Sequence, residues 1–160
     1  MSTYLPGIRF TLTMLMLIML FLPFPWVSYG SGHYLNGCYF ILGALIEAWR
    51  LFWWGWRVPW WSWAELWWRV PWWGWAVLWS GGFPLLIACN LHLIIVSAQP
   101  PWLKWSRRAL GAISLFAGLM VGVTWPRGPD SNVFINFWVA VGLVSINVII
   151  EVLEYIKGYK

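Results

Sequence analysis

Charged residues are scarce in this sequence. Asp, Glu, Lys and Arg together occupy 9% of its 160 positions, whereas a soluble domain carries about a quarter of its residues as charges. So few charges cannot cover a folded surface in water, which excludes the soluble class. The 61% of hydrophobic residues indicates a multi-pass integral membrane protein. No polar stretch is long enough to form a second, soluble domain.

Cysteine and histidine are also rare, with two of each. Cys38 and Cys89 lie in or beside apolar segments, so no stabilising disulfide is expected, and no Cys/His cluster has the spacing of a zinc site. The phosphate-binding, dinucleotide-binding, metalloprotease and serine-hydrolase motifs are absent as well. The sequence therefore offers no argument for a particular enzyme.

Apolar segments separated by turn-forming residues predict an all-α membrane bundle in a single domain, residues 1–160. The first segment resembles a signal peptide, but we interpret it as a helix ended by Pro23 and Pro25. A helix needs roughly 20 residues to cross a hydrocarbon core about 30 Å thick. The six predicted transmembrane helices cover about 8–27, 35–54, 59–79, 83–98, 109–125 and 132–153. The clearest predicted connections are residues 30–32, 80–84, 99–101 and 126–130.

The positions of the basic residues favour six membrane crossings over five. They are dispersed between apolar segments and form no basic patch, so no nucleic-acid partner is predicted despite the net charge of +5. Lys and Arg near helix ends accumulate on the cytoplasmic or matrix side. Six crossings place eight of the ten basic residues there, with both termini. Five crossings, with a flat or re-entrant tryptophan segment, divide the ten evenly and are the less favoured alternative.

Most of the 18 tryptophans lie in or just before a tandem dodecapeptide repeat, residues 57–68 and 69–80. Indole combines a large apolar body with one N–H donor, and it prefers the boundary between lipid headgroups and hydrocarbon. Membrane lipids are therefore expected contacts of this segment. Twelve residues are about 3.3 turns of helix, so successive copies cannot share one face.

Each copy of the repeat contains a proline, Pro59 or Pro71, a residue that suits the first turn of a helix. This pattern predicts two short helices that meet at a kink near Pro71, with Glu65 and Arg69 paired across the break. A broken helix lining a cavity is one interpretation. A recent duplication tolerated because tryptophan suits the interface is the other.

Charges inside apolar spans are the best chemical candidates, because an unpaired charge near the bilayer centre costs at least about 2.5 kcal/mol. Glu47 and Arg50 are three residues apart in the second predicted span and can neutralise each other. A static ion pair is one interpretation, and a proton relay through Glu47 is the other.

The last predicted span carries a polar stripe. Its members lie within about 80° on a helical wheel, which predicts that they face protein or a water-filled crevice. They either form interhelical hydrogen bonds or, at Asn147 and Glu151, belong to a proton or cation pathway. The polar members are Asn136, Asn147, Glu151 and Glu154.

Ser114, Gly118 and Gly122 recur every four residues along the fifth predicted span, a pattern typical of close helix packing in membranes. The pattern does not distinguish an internal neighbour from a partner chain. His92, in the fourth predicted span, is a candidate axial ligand for a haem or pigment. The simpler interpretation is an interhelical hydrogen bond assisted by Asn90.

Two short segments, Tyr155-Ile156-Lys157-Gly158 and Gly43-Ala44-Leu45-Ile46-Glu47, resemble pieces of small hydrophobic subunits of proton-pumping respiratory complexes. Each resemblance covers only those few residues and implies no functional residue. The sequence predicts a non-catalytic subunit of a larger, energy-transducing membrane complex that contacts other subunits, lipids or pigments. The alternative is a stand-alone transporter, channel or immunity-type protein with a polar pathway around Glu47, Arg50, Asn147 and Glu151.

Overall fold

A computed structural model describes residues 5–28, 33–55, 71–96, 100–126 and 131–158 of the chain. Within these residues the protein is mostly helical, with five helices and one two-stranded antiparallel hairpin. In chain order the elements are α1 (Leu5–Phe21), β1 (Pro25–Ser28), β2 (Tyr34–Asn36), α2 (Gly37–Gly55), α3 (Pro71–Ile95), α4 (Pro101–Thr124) and α5 (Ile135–Gly158).

Three of these helices are long and apolar enough to cross a membrane: Gly74–Ile95 within α3, Pro101–Thr124 and Ile135–Lys157. They contain 22, 24 and 23 residues, and about 20 suffice for a typical bilayer. The apolar helix Pro6–Phe21 is shorter. The prediction of a mostly helical chain is therefore confirmed, and three of its helices could span a membrane, as an integral membrane protein requires. The count of six crossings stays a prediction.

The predicted connection at residues 80–84 is wrong, because these residues lie inside the continuous helix α3. The predicted spans 59–79 and 83–98 therefore share one helix from Pro71 onward. Gly82 is explained by packing, since a Cβ added there would clash with the Ser114 hydroxyl. Pro84 lies inside the helix, and membrane helices tolerate such prolines because neighbouring groups satisfy the freed backbone.

The hairpin is a second departure from the predicted all-helical chain. Helix α1 ends at Phe21, short of the predicted residue 27, and Pro25 then begins β1. Strand β1 also meets the segment before α5, where Ser28 N–H donates to the Asn132 carbonyl and Phe134 N–H donates to the Trp26 carbonyl, both at 2.8 Å. These bonds satisfy backbone groups that the prolines prevent from continuing a helix.

The side chain of Trp26 from β1 is fully buried at the centre of an aromatic cluster. Its ring lies 5.7 Å from Phe83 and 5.9 Å from Phe137, both edge-on, and Trp79 stacks on Phe83 at 5.1 Å. Such tilted and offset arrangements are the favoured geometries of aromatic pairs. The aromatic cluster consists of Trp26, Phe40, Trp79, Phe83, Trp125 and Phe137.

Contacts far from the aromatic cluster show which helix ends lie together. Arg9, near the start of α1, contacts Glu151, near the end of α5. Arg107, near the start of α4, contacts the same carboxylate, and Asn90, near the end of α3, contacts Asn147. We call this region the charged end of the bundle. The opposite region, with the hairpin and the aromatic cluster, is the aromatic end.

Candidate functional site at the charged end

The carboxylate of Glu151 is the centre of the charged end. Arg107 contacts it through two atoms, with Nε 2.8 Å from Oε1 and Nη2 3.0 Å from Oε2. Arg9 adds a third contact, with Nη1 2.9 Å from Oε1. The side chains of Arg9, Arg107 and Glu151 are 6%, 4% and 4% exposed. Glu151 is therefore held between guanidinium groups of two helices.

Two further residues complete the charge cluster, which comprises Arg9, Arg107, Arg108, Glu151 and Glu154. Glu154 Oε2 pairs with Nη2 of Arg9 and lies 4.0 Å from Nη2 of Arg107. Arg108 Nε lies 3.7 Å from Oε2 of Glu151. Within this cluster three guanidinium groups face two carboxylates, which leaves one surplus positive charge.

Helical periodicity brings these charges together. On α5, Val144, Asn147 and Glu151 are successive buried positions of one face, spaced three and four residues apart. On α4, Arg107, Gly111, Ser114 and Gly118 are related in the same way. The packing that buries the apolar part of each face therefore also buries its polar part. Charges removed from water need such mutual pairing to offset their desolvation cost.

A layer of buried amides lies one helical turn deeper than the charge cluster. Asn90 Nδ2 donates to Asn147 Oδ1 at 3.0 Å, while Asn90 Oδ1 and Asn147 Nδ2 are buried without a hydrogen-bond partner. The hydroxyl oxygens of Ser80 and Ser114 are also buried without one. Buried polar atoms therefore continue inward from the charge cluster to the middle of α3 and α4.

Arg108 differs from the other two arginines because it borders a cavity of about 370 Å³ between α4 and α5. Its guanidinium carbon lies 5.3 Å from the Trp105 ring centre and 5.0 Å from that of Tyr155. Both distances are within the range of cation–π attraction. Glu151 also borders the cavity, so the cavity connects to the charge cluster.

The predicted polar stripe of the last helix divides between the two ends. Asn147, Glu151 and Glu154 belong to the charged end as described. Asn136 lies at the aromatic end, where its Nδ2 donates to the Pro25 carbonyl at 3.2 Å.

Glu47 and Arg50 lie on α2, apart from the charge cluster. Arg50 Nη1 donates to Glu47 Oε1 at 2.9 Å. Both side chains are exposed, Glu47 at 49% and Arg50 at 67%. The structure therefore does not bring this pair together with Asn147 and Glu151.

The small-residue face of α4 packs against neighbours within this chain. Ser114 meets Gly82 of α3, and a Cβ added at Gly118 would clash with the Trp79 ring. A Cβ added at Gly122 would meet the Trp138 ring of α5. The short side chains of this face therefore make room for α3 and α5.

The remaining candidates lie outside the site. His92 is exposed on α3, and Asn90 reaches Asn147 without it. Pro71 is the first residue of α3, while Pro59, Glu65 and Arg69 lie outside the described residues. Within the part of the chain that the structure describes, no group of three or more His, Cys, Asp or Glu side chains is arranged to hold a metal ion.

The sequence did not predict that Arg9, Arg107 and Arg108 belong to the site. The positive-inside rule had placed them at the membrane surface. The acidic residues contained a usable signal, because the chain has only five. Pairing Glu47 with Arg50 and Glu65 with Arg69 leaves three: Asp130 in a predicted connection, Glu151 in the last predicted span and Glu154 just after it. Arginines at the ends of other apolar spans are then their natural partners.

No protein-family model, curated protein or solved structure matches this chain.

Proposed function

We propose that this protein is a non-catalytic subunit of a larger membrane assembly, in which it contributes helix packing and lipid contacts. The observation that carries the proposal is an exposed ion pair on α2 with exposed apolar side chains beside it. Leu45, Ile46 and Trp53 are 41%, 56% and 61% exposed, and the Glu47–Arg50 ion pair lies among them. The described part of the bundle therefore leaves these five side chains uncovered.

The position of the ion pair favours contact with another protein over contact with lipid. Glu47 is ten residues into α2, about 15 Å from the start of the helix. In a membrane-crossing helix that position is far from one headgroup region, where long polar side chains reach water. Polar groups at such depth usually face protein, so a neighbouring subunit would shield both charges.

The orientation that we propose follows from the basic residues of the charged end. Arg9, Lys104, Arg107, Arg108 and Lys157 lie near helix ends in this region. Because such residues accumulate on the cytoplasmic or matrix side, the charged end faces that side. The start of α1 and the end of α5 lie there as well.

Extraction of the full chain from its native membrane in a mild detergent, followed by native mass measurement, tests the subunit proposal. We expect the chain to migrate with a complex much larger than its own 18.7 kDa. Recovery as a monomer or a small homo-oligomer contradicts the proposal.

A pair of matched variants locates the contact. Ile46 on α2 and Ile149 on α5 are both 56% exposed, so Ile46→Asn and Ile149→Asn make the same substitution at equally exposed positions. We expect Ile46→Asn to release the chain from the complex and Ile149→Asn to leave it bound. Release by both variants, or by neither, contradicts the role of α2.

Transport is the second candidate function, and the buried polar atoms favour it. They lead from Glu151 through Asn147 to Ser114. Ser114 lies near the middle of α4, so the polar atoms extend about halfway along this helix. The aromatic cluster then fills the bundle at the other end. A proton flux assay in proteoliposomes, comparing the wild type with Ser114→Val, tests this candidate. Flux that depends on Ser114 supports it, and absence of flux from the wild type opposes it.

A further inference from the structure

We propose that the cavity beside Arg108 binds an anionic phospholipid, with the lipid phosphate at Arg108 and one acyl chain along the apolar wall. This inference is independent of the subunit proposal, because a lone monomer would bind the same lipid. It rests on three observations, which are the unbalanced charge of the cluster, a buried donor of Arg108 that lacks a partner and the layered order of the cavity wall.

The charge of the cluster calls for an anion. Both oxygens of Glu151 are engaged by Arg107, and one of them also contacts Arg9. Arg108 reaches the same carboxylate only at 3.7 Å. One guanidinium charge of the cluster is therefore left without a carboxylate of its own. A phosphate group supplies the missing negative charge and is a preferred partner of arginine.

One donor of the cluster supports this assignment independently of the charge count. Arg108 Nε is buried and makes no hydrogen bond, and Arg108 borders the cavity. A buried guanidinium N–H without an acceptor is costly. An anion in the cavity offers this side chain an acceptor.

The order of residues along the cavity matches the order of groups in a phospholipid. Trp105 and Tyr155 lie nearest the helix ends, where aromatic side chains suit the headgroup region. Arg108 follows about one turn deeper on α4. Ala112 and Val148 lie another turn deeper, toward the aromatic end. At the level of Arg108 the wall also includes Glu151, whose carboxylate is already paired with Arg9 and Arg107. The wall therefore changes from aromatic to charged, with Arg108 as the cation available to a phosphate, and then to aliphatic, which matches the order of headgroup, phosphate and acyl chain.

This order favours a lipid over free phosphate. Of the residues that border the cavity, Ala112, Val148 and Val152 are apolar, and they make no polar contact with an inorganic ion. A volume of about 370 Å³ also exceeds what a phosphate group needs. The aliphatic part of the wall accommodates the upper part of an acyl chain, whose remainder continues in the bilayer.

Native mass spectrometry of the delipidated full chain tests the site, with phosphatidylglycerol or phosphatidylcholine added at equal concentration. We expect phosphatidylglycerol to bind more tightly. Arg108→Gln should weaken its binding about fivefold, the effect of one basic residue near a lipid surface. Equal retention of the two lipids, or unchanged phosphatidylglycerol binding by Arg108→Gln, overturns the proposal.

The matched control is Arg50→Gln, which removes the same charge from the exposed pair on α2. We expect it to bind phosphatidylglycerol as the wild type does. An equal loss in this variant shows attraction by net charge alone and overturns the site. Competition with inorganic phosphate separates the two sources of the anion, since full displacement of the lipid by phosphate overturns the assignment to a phospholipid.

A second variant keeps the test decisive where Arg108→Gln fails to fold. Ala112→Phe fills the deeper part of the cavity without changing any charge. Since Ala112 is exposed, the larger side chain extends into the cavity without disturbing the core. We expect weaker phosphatidylglycerol binding and an unchanged helical circular dichroism spectrum. Binding equal to that of the wild type overturns the placement of the acyl chain.

Discussion

At the aromatic end, Trp26 lies between rings contributed by α2, α3 and α5, whereas at the charged end Glu151 lies between arginines of α1 and α4. Both sets of contacts join segments distant in the chain. Aromatic packing in lipid gains from close fit and dispersion. The ion pairs gain only while each charge has its partner, because an isolated buried charge is costly. The two ends should therefore respond differently to substitution.

The largest expected effect comes from removing the central carboxylate. Glu151→Leu leaves Arg9 and Arg107 without their main counter-charge, and we expect the free energy of unfolding in detergent to fall by about 4 kcal/mol. Titration with SDS followed by circular dichroism measures this change. In the control, Glu47→Leu removes a carboxylate from an exposed pair and should cost less than Glu151→Leu, because the long side chain of Arg50 can then extend toward the headgroup region. Equal losses contradict the special role of the charged end.

The second-largest loss of stability is expected from a substitution at the centre of the aromatic cluster. Trp26→Ala opens a void among the surrounding rings, and we expect a loss of about 3 kcal/mol in the same titration. Trp102→Ala removes the same ring from a position that is 66% exposed and should cost much less. If the two variants are equally stable, the aromatic cluster does not hold this end together.

A smaller effect should come from the contact between α3 and α4. In Gly118→Ala the new methyl group clashes with Trp79, and overpacking of this kind costs about 2 kcal/mol. Gly43 of α2 has no atom within 4 Å of an added Cβ. Gly43→Ala should therefore leave stability unchanged or raise it slightly. A loss in Gly43→Ala as large as that in Gly118→Ala would contradict the close approach of the two helices.

The smallest expected effect concerns the amide pair between the two ends. Asn147→Leu removes one interhelical hydrogen bond, which in membranes averages about 0.6 kcal/mol. Asn90→Leu removes the same bond, so the coupling energy between the two substitutions should be about 0.6 kcal/mol. A double-mutant cycle measures the interaction. A coupling energy near zero would show that the bond is not formed.

The sequence predicted best what depends on local composition. Helices in the apolar segments follow from composition and periodicity. Proline geometry indicated where the first helix stops, although α1 ends at Phe21, before its prolines, and the predicted span continued past them to residue 27. The connection at residues 80–84 was predicted wrongly because glycine and proline act in two ways. They favour turns in water, but in lipid a glycine such as Gly82 also permits close helix packing.

Long-range partners could not be predicted from local patterns. Arg9 and Glu151 are separated by most of the chain, so neither residue carries a local sign of the other. Rules for basic residues place arginines at the membrane surface, which describes their depth but not their burial against a carboxylate. The hairpin was missed for a similar reason, since Ser28 and Trp26 bond to residues just before α5.

The bonds of β1 to the segment before α5 have a mechanical consequence. Helices α1 and α5 contact each other at the charged end through Arg9. At the other end β1, which follows α1, bonds through Ser28 and Trp26 to the segment before α5. Contacts at both ends oppose a rocking motion of these two helices against each other. Alternating access between them would require one set of contacts to break in each cycle, so we expect α1 and α5 to move together.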